Sequence, residues 1–375
     1  MAVISGSTSQ NSSPKKHRNS LNRDIFSGLG MGGPAFILLL MFLIGPFFMG
    51  VYFSFTNERL ISPNPAEWVG LRNYTRLLKV SVLPLEPVMN EQTGQFEIDE
   101  AGNLVYPRSR DYTRDTETYP QYEGLREWFT INRGNTKYVF LAADPVFMIA
   151  LRNTLFFAVV VIPLQSGMGL LLALLVNQQL AGRTFFRTVY FSPVVVSMVV
   201  ISIVWTFLYD KNVGLMNQFL AWISGGGIGP VNWLGDPKVA MWSIIIMSVW
   251  QGVGMQMVLF LAGLQGISDS LYEAAGIDGA NAWQKFTNIT IPGLYNIMVF
   301  IMITITIAAF QLFTQVFVMT NGGPNDATTT LTFHMVRKGF REQDIAYAST
   351  ISVVFFIMVL VIAMVQRYLT RSQEA

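Results

Sequence analysis

The sequence has no cysteine. That removes disulfides, thiolate nucleophiles and cysteine-held metals, and says nothing about the redox compartment. Charge is the second scarcity. Asp, Glu, Lys and Arg make up 13% of the 375 residues, against about a quarter in a soluble domain. Formal net charge is only +2, which argues against nucleic acid as the main partner. The two histidines, His17 and His334, fall on opposite sides of the membrane in the topology derived below, so they form no common site and no metal centre is expected. The dipeptide Gly-Lys is missing, and with it any Gly-x-x-x-x-Gly-Lys-Ser/Thr phosphate loop. No catalytic residue is assigned.

What is abundant is apolar sequence, 51% of the chain. A spanning helix needs about 20 predominantly apolar residues. Charge-free windows run Asp24–Glu58, Arg152–Arg183, Arg187–Asp210, Lys238–Asp269, Lys285–Asp326 and Asp344–Arg367. They predict an all-α, polytopic membrane protein of six helices, centred near Leu43, Gln165, Val199, Val253, Ala308 and Phe356. The window Lys211–Asp236 is interrupted by Gly225-Gly226-Gly227 and Pro230, so Phe219–Ile223 is expected to lie at the interface.

The partition is a disordered basic tail at 1–33, a first span at 34–56, an extracytoplasmic insert at 57–150 and a membrane core at 151–375. A signal peptide is the alternative for the N-terminus, but Pro34–Phe55 exceeds an h-region and lacks a small-residue cleavage site. Gly28-x-Gly30-x-Gly32 reads as a hinge before the first span. Basic residues Lys15, Lys16, Arg18, Arg23, Arg183, Arg187, Lys285, Arg367 and Arg371 outnumber Lys211, Lys238, Arg337, Lys338 and Arg341 of the short outer loops, which predicts that both termini are cytoplasmic. The long insert is left out because long loops translocate largely regardless of charge. Within the insert, Phe96–Ile98 and Leu104–Tyr106 around Asp99–Asn103 predict a hairpin. Tyr112, Tyr119, Tyr122, Trp128 and Phe129 supply a small packed cap, serving as a receptor surface or as a rigid spacer.

The stretch 268–292 is a polar island between two apolar windows. Ser270 and Glu273 have capping-box spacing, as do Asn281 and Gln284; Gly279 suits a left-handed stop and Pro292 a boundary. Two short helices joined by a glycine turn are expected, with small residues Ala274, Ala275, Gly276, Gly279 and Ala280 on a surface another chain could approach.

Glu273-Ala274-Ala275, then Gly279, then Ile289-x-Ile291-Pro292 resembles the EAA loop of ATP-binding-cassette importer permeases, with Ile291 where the family has Leu. Arg183–Pro193, Asn232–Pro237, Phe260–Gln265 and Thr320–Pro324 followed by Thr328-Thr329-Thr330 are similar to carbohydrate permeases, and closest to the larger, maltose-type partner of a pair. The resemblance covers 150–370 well, 34–56 loosely and the insert at 80–145 not at all. It implies that Glu273, Ala274, Ala275, Asp278, Gly279, Ile289 and Pro292 form the element that docks on an ATPase. It also implies a second permease in a heterodimer, a cassette ATPase dimer that binds the ATP and magnesium, and an extracytoplasmic solute-binding protein. The location implied is a bacterial or archaeal plasma membrane, with no cofactor in this chain.

No paired carboxylate lies inside the spans, which weakens a proton-coupled carrier. The polar residues there are neutral amides: Gln165, Asn177, Gln251, Gln256, Gln311 and Gln315. Amides and aromatic faces suit hydroxyl-rich solutes, so Trp250, Gln251, Gln256, Gln311 and Gln315 are the candidate solute path. The plainer role for each glutamine is interhelical hydrogen bonding. Gln311 and Gln315, at i and i+4, are expected on one helix face. Gly167, Gly169, Gly252 and Gly254 are expected as close-packing positions. The expected function is the permease subunit of a carbohydrate importer. A secondary carrier, a receptor or scaffold, and an importer of amino acids or metals are the alternatives.

Overall fold

A computed structural model describes residues 30–90, 94–100, 102–178 and 182–371. The expectations for Lys15, Lys16, His17, Arg18, Arg23 and Gly28 lie outside the described residues, whereas Gly30 and Gly32, expected in a hinge and a disordered tail, are helical as the first turn of the first span. Among the described residues, five helices are long and apolar enough to cross a membrane. They are α1 (Gly30–Phe53), α3 (Pro145–Asn177), α7 (Ala240–Gln265), the segment Tyr295–Met319 and the C-terminal helix α13 (Ile345–Arg371). Between α1 and α3 a short helix α2 (Arg72–Leu78) precedes strand β1 (Val80–Leu85).

The third expected span is not straight. It consists of α4 (Arg183–Val195) and α5 (Met198–Leu208), bent by 101°. Val196 and Ser197 are extended at the corner. Pro193 lacks the N–H that would bond the Val189 carbonyl, and the Ser192 hydroxyl donates to that carbonyl instead, at 2.9 Å. The second span also starts earlier than its charge-free window. Pro145 sits in its first turn and Asp144 caps it, its carboxylate accepting from the Phe147 N–H at 3.0 Å. Arg152, used as the window's edge, lies inside the helix with its side chain exposed, as a cation near a span's end can.

The expected interfacial helix is α6 (Leu215–Ile223). Asn217 closes the loop behind it, donating to the Lys211 and Val231 carbonyls and accepting from Trp233 Nε1 at 3.0 Å. A helix pair, α8 (Asp269–Ile277) and α9 (Ala282–Lys285), separates α7 from α10 (Tyr295–Phe310). Then come α11 (Thr314–Met319) and α12 (Leu331–Val336).

The core lies where α3 packs along α7 and α10. Glycine permits the closest approaches: a Cβ on Gly169 would stand 2.6 Å from Gln256 Cβ, and one on Gly254 would strike the Tyr190 carbonyl oxygen of α4. A Cβ on Gly252 would meet the Gln165 amide. These three are close-packing positions as expected; Gly167 is not, having open space where its Cβ would be.

The insert contains an antiparallel sheet in the order β1-β3-β2, with β2 (Arg126–Arg133) and β3 (Thr136–Ala142). Arg133 pairs with Thr136 across Gly134-Asn135, and Gly134 takes φ +62°, a two-residue hairpin turn. The expected hairpin is present in thinner form, as an Ile98–Leu104 bridge closed by Asp99 and Asn103. Leu83, Leu85, Leu125, Val139 and Leu141 form a core of their own, with Tyr106, Tyr112 and Tyr122 against it. Phe129 stacks on Phe140 at 4.3 Å.

A buried polar cluster fastens the insert to the helices. Asp144 accepts from His334 Nε2 at 3.0 Å and from the Tyr347 hydroxyl at 2.7 Å. Arg337 can only donate, so its 3.3 Å contact makes His334 Nδ1 the acceptor and Nε2 the N–H facing Asp144. Burial raises the Asp144 pKa, but His334, Tyr347 and the Phe147 N–H outweigh it and hold the carboxyl well below the usual carboxylate range. The group therefore stabilises the fold at neutral pH, and that contribution is lost only on strong acidification. Asp144→Ala strands two buried polar partners, which costs about 3 kcal/mol. The thermal midpoint of the purified protein should fall by several degrees; an unchanged midpoint would refute this role.

Candidate coupling surface and solute path

The island 268–292 leaves the membrane region as an exposed elbow. Ser268, not Ser270, is the N-cap of α8; it is extended, and no side chain caps the helix, because the Ser268 and Ser270 hydroxyls bond each other at 2.7 Å. The second expected capping box does form: Gln284 N–H donates to Asn281 Oδ1 at 2.9 Å and Asn281 N–H to Gln284 Oε1 at 2.8 Å. Gly279 takes φ +77° and ends α8 as a left-handed residue. Pro292 is not a boundary. The chain stays helical through it, with a π-helical turn at Phe286–Thr290 in which the Ile291 N–H reaches back to Phe286 O. The wider turn takes up the mismatch that proline introduces.

Glu273, Ala274, Asp278, Gly279 and Pro292 are exposed, and Ala275 and Ile289 half-buried. A Cβ on Gly276 would stand 3.1 Å from Lys285 Nζ, and the Tyr272 hydroxyl bonds Thr290 at 2.9 Å. The elbow is thus a fixed shape tied to the base of the next span. The sequence reading missed its apolar component. Leu271, Ile277 and Trp283 are 53, 89 and 70% exposed on this otherwise polar surface. Large apolar side chains within a polar island are the signal that would have found them.

The solute-path candidates do not gather as expected. Gln311 and Gln315 do not share a helix face, because α10 ends at Phe310 and α11 begins at Thr314. The freed Phe310 and Leu312 carbonyls accept from the Thr332 and Thr330 hydroxyls at 3.0 and 2.7 Å. Gln311 is exposed at the break and Gln315 half-buried on α11. Gln256 is buried against Gly169, and its Oε1 has no partner among the described residues. Gln251 is half-buried on α7. Trp250, 44% exposed, lies 5.4 Å from Trp205, ring to ring, and both line a cavity of about 250 Å³ with Pro193 and Val200 at the α4–α5 corner. Sequence reading had no signal for Trp205, which only the bend carries to this place.

The Thr328-Thr329-Thr330 run is completely buried. Thr328 donates to Gly323 O at 2.8 Å, Thr329 to Gly322 O at 3.1 Å, and Asn153 Nδ2 to the Asp326 and Thr329 carbonyls at 3.0 Å each. Irregular backbone is held by hydroxyls and amides where water is scarce.

Interrupted spans, glycine-mediated helix contacts and a water-exposed elbow define a multi-pass helical membrane protein. The chain belongs to the family described as binding-protein-dependent transport system inner membrane component, whose model matches residues 165–374. It is 39% identical over 238 residues to a probable ABC transporter permease protein, YurN, of Bacillus subtilis, covering 62% of this chain and 80% of that one. It is 40% identical over 246 residues to the lactose transport system permease protein LacF of Rhizobium radiobacter, covering 64% and 82%. Against the trehalose/maltose transport system permease protein MalF of Thermococcus litoralis it is 36% identical over 207 residues, covering 55% and 69%. A solved bacterial ABC transporter involved in import of the acidic polysaccharide alginate shares the fold, with TM-score 0.68, 19% identity and coverage of 96% of this chain and 100% of that one. The chain is therefore a permease subunit and not itself an enzyme; ATP hydrolysis belongs to partner subunits.

The packing gives a graded prediction. Gly254→Ala drives a methyl into the α4 backbone, which cannot step aside, and should lower the thermal midpoint and folded yield sharply. Gly252→Ala meets only the mobile end of Gln165 and should be milder. Equal losses from the two substitutions would contradict the packing described.

Proposed function

We propose that this chain is the membrane permease of an ATP-driven, binding-protein-dependent carbohydrate importer. It acts as one half of a translocation path shared with a second permease and coupled to a pair of cassette ATPases. The observation that carries the reading is the exposed elbow at 268–292. It lies within the family-matched region, is tied to the following helix by the Tyr272–Thr290 hydrogen bond and presents Ile277 and Trp283 to solvent. Carbohydrate as the solute is supported by the lactose and trehalose/maltose names of two relatives. The neutral amide and aromatic character of the candidate path agrees with it.

In this reading both termini and the elbow are cytoplasmic, and the insert is outside. The plasma membrane of a bacterium or archaeon is the location. Closure of the ATPase dimer moves α8 and α9, and the Tyr272–Thr290 tie passes the movement to the helix entering the membrane. The spans then open outward to receive solute from the binding protein. The elbow thus carries the coupling free energy between ATP and solute sites. Glu273, Ala274, Ala275, Asp278, Gly279, Ile289 and Pro292 are assigned to this docking surface. Trp250, Gln251, Gln311 and Gln315 are assigned to the path, whereas Gln256, buried between α3 and α7, serves the packing of those helices.

Two experiments test the roles separately. In the reconstituted complex, Glu273→Lys and Gly279→Leu should leave the subunit inserted but reduce solute-stimulated ATP hydrolysis by roughly tenfold or more, the scale of a coupling of 1–3 kcal/mol. Retained stimulation in both would remove the elbow from the mechanism. Gln311→Leu and Gln315→Leu should lower uptake while basal hydrolysis and assembly survive. Loss of thermal stability with unchanged solute affinity would make these glutamines packing groups instead.

A further inference from the structure

A cavity of about 710 Å³ opens on the insert side of the helices, lined by the segment after α1, by α2, by Glu123 and Gly124, and by the residues leading into α3 and α13. Its charge is unbalanced. Arg59, Arg72, Arg76 and Lys79 face it, against Glu123 and Asp344. Arg76 is committed to Asp344 at 3.3 Å and stacks over the Tyr347 ring. Lys79 donates to a neutral main-chain carbonyl, that of Glu123, at 3.1 Å. Among the described residues no carboxylate pairs with Arg59, Arg72 or Lys79. Three cations therefore share one mouth with a single unpaired carboxylate.

Position identifies the ligand. The lining residues Asn57, Ala143 and Asp344 sit just beyond the ends of α1, α3 and α13. The cavity is therefore at headgroup level. Trp68, Leu71 and Leu78, next in sequence to lining residues, are 64, 64 and 48% exposed, and Trp68 stacks on Phe55 at the end of α1, as aromatic residues do at a membrane interface. Below, α1 has no buried residue in its apolar window, and Phe356, Ile357, Leu360 and Val361 of α13 are exposed. That leaves apolar surface for acyl chains. Asn73 holds the floor, donating to the Ser54 and Thr56 carbonyls at 3.0 and 2.7 Å.

We propose that this cavity binds the phosphate of a phospholipid from the leaflet on the insert's side. Arg59, Arg72 and Lys79 take the headgroup, and the acyl chains lie along α1 and α13.

The test is native mass spectrometry of the detergent-purified full chain titrated with dioleoyl phosphatidylglycerol. The triple change Arg59→Gln, Arg72→Gln and Lys79→Gln should weaken retention of the lipid by about a hundredfold, since each basic residue near a headgroup contributes about fivefold. Arg59→Lys with Arg72→Lys should hold lipid nearly as well as wild type, and glycerol 1-phosphate or inorganic phosphate should not displace it. Should the triple variant not fold, Arg72→Gln alone carries the test, with an expected loss of about fivefold. Undiminished lipid retention would overturn the proposal. So would displacement by soluble phosphate, which would mark a free-anion site. Loss of receptor-stimulated ATP hydrolysis with lipid retention intact would overturn it too, and would assign the face to a protein partner.

Discussion

Inside a bilayer every main-chain N–H and C=O must find its partner within the protein, because no water is there to take it. Where this chain departs from regular helix, a short polar side chain supplies the missing bond. Ser192 replaces the donor that Pro193 lacks at the α4 bend. Thr330 and Thr332 take the carbonyls released between α10 and α11, and Thr328, Thr329 and Asn153 hold the loop beyond. The π-helical turn before Pro292 solves the same problem by shifting the bonding register. The irregular places thus recover some of the bonds that the helices lose there, and they are also where the candidate path and the elbow lie.

That constraint explains which parts of the fold could be read in the sequence. Lack of charge marks a length of chain as compatible with lipid, and five of the six windows hold one long apolar candidate span among the described residues, the other a pair bent by 101°. It does not mark whether the chain inside a window is straight. The 101° corner at Val196-Ser197 and the break at Gln311–Phe313 are apolar or neutral in sequence, and tertiary packing decides them. Nor does a charge end a helix: Arg152 lies within α3 because its head reaches outward from the helix surface. In the insert, the Gly134-Asn135 turn between two alternating runs was a readable hairpin signal. Strand β1, which joins across a long gap to pair with β3, was not, since its partner is remote in sequence.

The candidate site divides the same way. Local chemistry was legible: the left-handed Gly279 and the Asn281–Gln284 box follow from residue types and spacing alone. The Ser270–Glu273 box was a false match: the helix starts two residues earlier, with Ser268 at the N-cap position and no side-chain cap. Relationships that assume an unbroken helix failed, as Gln311 and Gln315 did. Trp205 reaches Trp250 through a bend that no spacing rule encodes.

The first and last spans carry a consequence for how the molecule is made. Helix α1 packs principally on α13: Phe47 meets Phe356 at 5.0 Å between ring centres, and Thr350 donates to the Ser54 carbonyl at 3.2 Å. A chain synthesised from its N-terminus places α1 in the bilayer long before α13 exists. Throughout that interval the face of α1 that α13 covers has not met its partner, and the seam between the two helices closes late. The insert emerges in the same interval with its own sheet and core. Its clasp through Asp144 to His334 and Tyr347 must also wait for the C-terminal third of the chain. Assembly of this subunit therefore has to join two helices, α1 and α13, that are made far apart in time.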